Sequence, residues 1–145
     1  IKVANLEESL PYDDNFFDVV YSKSVIEHFY HPEKVISEIF RVLKPKGQVI
    51  TLTPDWTYVY KTFYEDYTHR TPFTMTSLRD ILLIHGFEQV QVEEFLQLPV
   101  VWKLPWVKLL SSMVASFAPQ SFVRKFKFLR FSKEVMLLSS AIKPG

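Results

Sequence analysis

Two short segments of the sequence concentrate the side chains that could do chemistry. One is Ser22-Lys23-Ser24 with Glu27 and His28 shortly after it, and the other runs from Tyr64 to Arg70 and contains His69. Because an imidazole has an unperturbed pKa of about 6.5, His69 can take a proton from a substrate hydroxyl near neutral pH. A surface or capping histidine would read the same way, so the sequence leaves a catalytic base and a structural residue as alternatives.

Metal binding is a second chemistry that Glu27, His28 and His31 suggest. Zinc sites in proteins take three or four ligands from His, Cys and carboxylate side chains. The chain has no cysteine, and two histidines three residues apart without an assured third ligand are more often structural. We therefore expect no metal site.

The ends of predicted strands must position these residues. Phe16–Tyr21 is rich in β-forming residues and interrupted by Asp18, which predicts a buried central strand with a structural, partnered aspartate. Pro32 fits the first position of a helix, and Gln48–Thr53 predicts the next strand. Strand–helix–strand order predicts a parallel sheet with right-handed crossovers, whose ligands bind outside the carboxyl ends of the strands.

Further elements are predicted on either side of this unit. Residues 1–6 have the character of a strand end, and residues 56–73 are aromatic, polar and irregular. The sequence then predicts a helix over Thr76–His85 and strands over Phe87–Val92 and Glu134–Ile142. Together the elements indicate an α/β fold.

Charge and hydrophobicity change along the chain. Residues 1–95 carry a net charge of −6 and residues 96–145 a net charge of +7. Apolar residues from Trp106 to Phe117 recur at helical spacing, and bases follow them, so residues 105–131 predict a helix that packs on the sheet, covers the site or contacts a membrane surface. We expect no nucleic-acid partner. The start of the chain does not resemble a signal peptide, and we expect a cytoplasmic protein, with attachment to a membrane surface as the alternative.

Three ordered motifs carry a family resemblance. They are Leu-Pro-Tyr-Asp-Asp-Asn-Phe-Phe-Asp-Val-Val (10–20), Ile-Glu-His (26–28) and Arg-Val-Leu-Lys-Pro-Lys-Gly (41–47). They resemble class I S-adenosylmethionine-dependent methyltransferases of the small-molecule, type 11-like subgroup, which includes quinone-biosynthesis methylases. The resemblance implies the C-terminal portion of one Rossmann-like domain over 1–145: a sheet core at 1–95, a helical insertion at 96–133 and a last strand at 134–142.

The resemblance also implies that the sheet is incomplete at its N-terminal side. Residues 1–6 would be its third strand, and the first two strands with their glycine-rich loop would lie upstream. The three glycines of the chain, Gly47, Gly86 and Gly145, do not form such a loop. We therefore expect an incomplete S-adenosylmethionine site, with self-association through the open side of the sheet.

The resemblance assigns roles to particular residues. The implied cofactor contacts are the side chain of Asn5 and the amide of Leu6 at adenine, with Ser22, Lys23, Ser24 and His28 near the methyl group. The implied substrate contacts are Trp56, Tyr64, Tyr67 and Arg70, with His69 as base. The implied reaction is methyl transfer, preferentially to oxygen, on a small apolar or lipid-linked acceptor. A non-catalytic remnant that serves as an interaction or membrane-surface module is the alternative.

Overall fold

The computed structural model describes residues 2–6, 8–97 and 135–145. Its elements in chain order are β1 (Phe17–Lys23), a 3₁₀ turn (Ile26–His28), α1 (Pro32–Val42), β2 (Leu43–Pro54), α2 (Trp56–Val59), a second 3₁₀ turn (Phe63–Glu65), α3 (Met75–Ile84), β3 (Glu88–Leu96) and β4 (Val135–Ile142). The predicted α/β class is confirmed. The predicted insertion at 96–133 lies almost entirely outside the described residues.

The four strands form one sheet in the order β1-β2-β4-β3. β1 and β2 are parallel, and β4 runs antiparallel to both of its neighbours. The last strand therefore inserts between β2 and β3, as an antiparallel final strand of the sheet. Because β1 and β2 are parallel, their carboxyl ends meet at the same edge of the sheet, and this edge is the predicted ligand side.

Helix α1 begins where Pro32 predicts it. Pro32 occupies the first turn, where its missing N–H costs nothing, and Val35, Ile36 and Ile39 are buried against the sheet. The helix ends at Val42, because the residue before Pro45 is disfavoured in helical geometry. The chain continues directly into β2.

The backbone makes a tight turn at Lys46 and Gly47, near the start of β2. Lys46 has a left-handed φ of 64°, and a Cβ on Gly47 would lie 2.8 Å from the Lys44 carbonyl oxygen. Glycine is therefore required at position 47, since any side chain there would clash with backbone. The turn sets the register in which Gln48 pairs with Val19.

Two expectations for the first part of the chain are wrong within the described residues. Residues 2–6 form no strand, and the Asn5 carbonyl instead accepts a turn hydrogen bond from Glu8 N at 3.1 Å. β1 is the outermost strand of the described sheet, so Val19 and Tyr21 are 52% and 62% exposed rather than buried. Val19 and Tyr21 are exposed because no described strand lies on the open side of β1.

Helix α3 and the strands after it complete the core. Thr74 accepts a hydrogen bond from Ser77 N at 3.2 Å, while the Ser77 side chain accepts from Thr74 N, so the helix starts at a capping box. Leu78 and Leu82 are fully buried. Gly86 ends the helix region with a φ of 87°. The resulting core packs α1 and α3 on one face of the sheet and supports the strand ends.

Candidate active site

The carboxyl end of β1 presents the predicted polar residues together. Ser22 is half-buried, and Lys23 and Ser24 are exposed. Ser24 has a left-handed φ of 51°, which bends the backbone just after β1, and its N–H donates to the Leu52 carbonyl of β2 at 2.8 Å. Backbone strain of this kind in a non-glycine residue often marks a functional turn. The three residues lie at the edge where the fold class binds ligands.

The 3₁₀ turn after β1 buries an acid. Glu27 is 0% exposed, and its Oε2 accepts a hydrogen bond from Thr53 Oγ1 at 3.1 Å. Its other oxygen, Oε1, has no hydrogen-bond partner among the described residues. Burial raises the pKa of this carboxyl group, and the hydrogen bonds that favour its charged form only partly oppose the rise. Glu27 is thus a buried carboxyl with one unused oxygen at the sheet edge.

The same turn holds the later loop in place. The Glu27 carbonyl accepts hydrogen bonds from Arg70 N at 2.8 Å and Thr71 N at 3.1 Å, and Thr71 Oγ1 donates to the Phe29 carbonyl at 2.7 Å. These bonds carry the loop across the sheet edge. They bring the ring of His69 to 4.8 Å from the ring of His28, measured between centroids.

Hydrogen bonds fix the protonation pattern of His69. Its Nδ1 lies 2.6 Å from the Phe63 carbonyl oxygen, which can only accept. Nδ1 therefore carries the proton, and in the neutral ring Nε2 carries a lone pair. This Nε2 lies 3.9 Å from Asp66 Oδ2, too far for a hydrogen bond.

A chain of hydrogen bonds gives His28 the same pattern. Thr68 Oγ1 donates its one proton to Asp66 Oδ1 at 2.6 Å, and the two hydrogen bonds from Thr68 keep the pKa of Asp66 below its ordinary value. Thr68 Oγ1 must then accept from His28 Nδ1, which lies 2.9 Å away. In the neutral ring, His28 also has its lone pair on Nε2. Both imidazoles are oriented by partners behind them.

Aromatic rings form a wall beside His69. Phe63 lies 4.4 Å from His69 and 5.4 Å from Trp56, and Tyr64 lies 5.9 Å from Trp56, measured between ring centroids. α2 and the second 3₁₀ turn produce this arrangement, where the sequence predicted irregular chain. Asp55 starts α2 by accepting a hydrogen bond from Thr57 N at 2.9 Å. The structure thus brings Trp56, Tyr64 and His69 together.

The other two predicted substrate residues, Tyr67 and Arg70, do not join this group of side chains. Tyr67 is 82% exposed. Arg70 directs its guanidinium to the carbonyls of Tyr67 and His69 and stacks over the Tyr30 ring at 5.1 Å. Arg70 therefore closes its own loop in this structure, and its contact with a substrate stays a prediction.

The predicted adenine contacts lie before β1. Asn5 is exposed, and its side-chain amide donates to Glu8 Oε1 at 3.1 Å. Leu6 packs against the core cluster. Their roles at a cofactor stay predictions.

Sequence reasoning missed part of this site. Glu27, His28 and His69 can each offer one ligand atom within 4.8 Å of the others, whereas His31, the histidine considered with Glu27 from the sequence, is exposed and bonded to Glu33 Oε1 at 3.0 Å. Thr53 and Thr68, which orient the cluster, carry no periodic signal. One feature of the sequence could have indicated the site: Glu27 is an acid that directly follows the apolar residues Val25 and Ile26, just after a predicted strand.

Comparison with known proteins supports the predicted resemblance. Residues 1–51 match a family model described as a methyltransferase domain. These residues therefore match part of a methyltransferase domain. The predicted resemblance is confirmed, because the matched residues include the motifs at 10–20, 26–28 and 41–47.

A curated relative and two solved structures extend the comparison beyond the matched segment. Phosphoethanolamine N-methyltransferase 2 of Caenorhabditis elegans is 33% identical over 86 residues, which cover 57% of this chain and 20% of that protein. An S-adenosylmethionine-dependent methyltransferase from Archaeoglobus fulgidus superposes with a TM-score of 0.60 at 20% identity, over 91% of this chain and 62% of the other.

The second structure is a methyltransferase of the same kind as the curated relative. Phosphoethanolamine N-methyltransferase 2 of Haemonchus contortus, in complex with phosphomonomethylethanolamine and S-adenosylhomocysteine, superposes with a TM-score of 0.59 at 18% identity, over 92% of this chain and 35% of the other. These structures confirm the Rossmann-like methyltransferase fold. The chain spans 8% to 20% of the length of the first three curated relatives, so the methyltransferase domain here matches a small part of each.

Proposed function

We propose that the protein is an S-adenosylmethionine-dependent methyltransferase that methylates an oxygen of a small, apolar or lipid-linked acceptor. The observation that carries this proposal is the match of residues 1–51 to the methyltransferase domain. The Haemonchus structure, which holds S-adenosylhomocysteine, supports the cofactor. The polar residues at the carboxyl ends of β1 and β2 agree with it, because this edge is where such sheets bind ligands.

The proposed reaction is a single displacement. An acceptor oxygen attacks the methyl carbon, the carbon–sulfur bond breaks, and its electron pair stays on sulfur to give S-adenosylhomocysteine. The contribution of the protein is mainly to align oxygen, carbon and sulfur, which can supply several kcal/mol of the barrier, ~7–11 in well-oriented systems. Asn5, Leu6, Ser22–Ser24 and His28 are the proposed cofactor contacts.

His69 is the proposed base of the metal-free protein. Its Nδ1 proton is committed to the Phe63 carbonyl, so Nε2 is the atom that can receive the acceptor proton. The rings of Trp56 and Tyr64 beside it favour an apolar acceptor, because aromatic surface binds apolar groups with specific ring geometry. A preference for oxygen over nitrogen acceptors follows from the need for a base, since a neutral amine can attack without one.

Transfer of label tests the proposal. The protein expressed from its native reading frame is incubated with S-adenosylmethionine that is labelled in its methyl group and with either an apolar phenol or a small primary amine. We expect label in the extracted phenol, and about 100-fold less with His69→Gln, the lower end of the range for a lost general base. His31→Gln is the matched control, because His31 is exposed and lies outside the cluster. Absence of transfer to either acceptor would overturn the proposal.

A non-catalytic interaction module is the second candidate, and exposed apolar side chains in β1 and just before it favour this candidate. Phe16, Val19 and Tyr21 are each more than half exposed at 51%, 52% and 62%. Within the described residues, no helix has the length and apolar character that crossing a bilayer requires. Co-sedimentation with neutral and anionic liposomes tests a peripheral membrane role of residues 105–131, and light scattering tests self-association. A monomer that sediments with neither liposome would remove this candidate.

A further inference from the structure

We infer that Glu27, His28 and His69 form a binding site for a divalent transition-metal ion at the carboxyl edge of the sheet. Each residue offers one ligand atom, and the three atoms all lie within 4.8 Å of one another. The three residues come from two segments, the 3₁₀ turn at Ile26–His28 and the loop before α3. The Arg70 N–H, which donates to the Glu27 carbonyl at 2.8 Å, joins these segments.

The unused oxygen of Glu27 is the first argument for a ligand. Among the described residues, Glu27 Oε1 is the buried side-chain polar atom left without a hydrogen-bond partner. Buried polar groups are normally paired, and a buried carboxylate is paired or coordinates a metal. The carboxyl group has its Oε2 held by Thr53, so Oε1 has a fixed position. A cation bound at Oε1 would supply the missing partner.

The orientation of both imidazoles is the second argument. A histidine that ligates a metal usually donates its other ring N–H to a carbonyl, carboxylate or other fixed acceptor. His69 donates from Nδ1 to the Phe63 carbonyl, and His28 donates from Nδ1 to Thr68, whose own proton goes to Asp66. Both rings therefore have Nε2 free for coordination. The acceptors that hold the two Nδ1 protons are of the kind that orient histidine ligands in metal sites.

The donor set selects the kind of ion. Two imidazole nitrogens and one carboxylate oxygen suit zinc, iron or similar first-row ions, whereas magnesium and calcium prefer oxygen ligands. Zinc ligands at 2.0–2.2 Å in tetrahedral geometry lie about 3.4 Å apart. Ligand atoms separated by up to 4.8 Å must therefore move closer together on binding. His28 and His69 are half-buried, so solvent can deliver the ion.

A bound ion would also change how the acceptor is activated, a consequence that rests on the proposed function. Three protein ligands leave at least one coordination position for an acceptor hydroxyl, and a metal ion lowers the pKa of an oxygen bound to it. The acceptor proton then leaves to solvent, and the oxygen attacks the methyl carbon as before. In this form His69 acts as a metal ligand and no longer as the base.

Metal titration without cofactor or acceptor tests the site independently of methyl transfer. The 145-residue chain, freed of metal with a chelator and desalted, is titrated with zinc chloride in a calorimeter. Cobalt chloride is then followed by visible absorption. We expect one equivalent of zinc, and cobalt bands of a four- or five-coordinate ion. The same titration with magnesium chloride should give no comparable binding.

Variants identify the ligands. Glu27→Gln and His69→Gln should each weaken zinc binding by at least about tenfold, and His31→Gln should leave it unchanged. Far-UV circular dichroism checks that each variant is folded. Thr68→Val keeps all three ligands and removes the acceptor behind His28, so it should weaken binding about tenfold even if a ligand variant unfolds. Absence of stoichiometric zinc binding, or equal affinity in His69→Gln and His31→Gln, would overturn the inference.

Discussion

The two ends of the parallel pair β1–β2 differ in how their polar groups are hydrogen-bonded. At the amino end, Arg41 donates to the carboxylates of Glu38 and Asp14 and to the carbonyls of Leu10 and Tyr12, at 2.7–3.1 Å. These bonds hold the loop before β1 on the end of α1. The Arg41 guanidinium donates all of these hydrogen bonds to acceptors within the chain, so nothing here points to a bound ligand.

Lys143, just after β4, adds further hydrogen bonds at the amino end of the pair. Its Nζ donates to the carbonyls of Phe40 and Leu43 at 2.8 Å and to Asn15 Oδ1 at 2.9 Å. An ammonium group has three protons, and each has an acceptor here. This end of the sheet is a closed polar network whose role is structural.

The carboxyl end leaves its network open. Glu27 is buried more deeply than Arg41 or Lys143, yet Oε1 lacks a partner among the described residues. His28 and His69 are fixed at Nδ1, and neither makes a hydrogen bond at Nε2 to any described residue. The comparison teaches that a satisfied network stabilises the fold, whereas an oriented but incomplete one is available to a ligand.

The largest effect is expected at the closed end. Lys143→Met keeps the unbranched stem of the side chain but removes its ammonium group, so three oxygen acceptors lose their donor. We expect a loss of about 3 kcal/mol in the free energy of unfolding, the upper part of the range for hydrogen bonds to a charged group. Urea unfolding measures it. Lys34→Met is the control, because Lys34 is exposed on α1 and its loss should cost little. Equal effects of the two substitutions would contradict the structural role of Lys143.

The open end should respond in the opposite direction. Glu27→Gln keeps the shape of the side chain and removes the buried charge, so the metal-free variant should be more stable than the parent at pH 7 by about 1–2 kcal/mol. Such a gain on substitution is characteristic of a residue kept for function at the expense of stability.

The pH dependence of this gain follows from the raised pKa of Glu27. The folded protein retains the proton to a higher pH than the unfolded chain, whose carboxyl ionises near 4.5. The parent therefore loses stability from Glu27 as the pH rises from about 4.5 through the higher folded pKa, and none of this loss is present below about pH 4.5. The difference between Glu27→Gln and the parent should vanish at low pH and grow above 4.5. Urea unfolding at several pH values, without metal, measures it. A constant difference would show that burial of the charge is not its cause.

The elements that the sequence predicted well are those that local pattern determines. α1 and α3 follow from apolar residues at helical spacing. Pro32 marks the start of α1, and the helix predicted over Thr76–His85 corresponds to α3 at Met75–Ile84. Glu134–Ile142 was predicted as a final strand from composition and resemblance, and β4 covers Val135–Ile142. These features depend on neighbours within one turn or strand, so a single sequence contains the information.

The features that the sequence did not predict depend on distant neighbours. Burial of β1 requires a strand on its open side, and apolar composition alone does not supply one. The approach of His69 to Glu27 depends on backbone bonds from Arg70 and Thr71 to the Glu27 carbonyl. No periodic pattern encodes a contact between residues some forty positions apart. The site was therefore predictable as a list of residue types at a sheet edge, and its geometry was not.

The smallest effect is expected for Asp18, a residue whose surroundings the sequence misjudged. Within a buried strand it would need a partner, but its side chain is 82% exposed and lies 2.9 Å from Lys44 Nζ. The Lys44 ammonium lowers the pKa of the Asp18 carboxyl. Exposed ion pairs contribute little to stability, because solvent and salt screen them. Asp18→Asn should leave the urea midpoint unchanged within error.

Salt concentration separates this outcome from a hidden structural role. If Asp18 and Lys44 form only a screened surface pair, the parent and Asp18→Asn should have the same midpoint in low and high salt. A marked destabilisation in Asp18→Asn that persists at high salt would mean that Asp18 is covered in the protein. Asp18 would then stabilise the fold, as Lys143 does, and the open side of β1 would have to be covered.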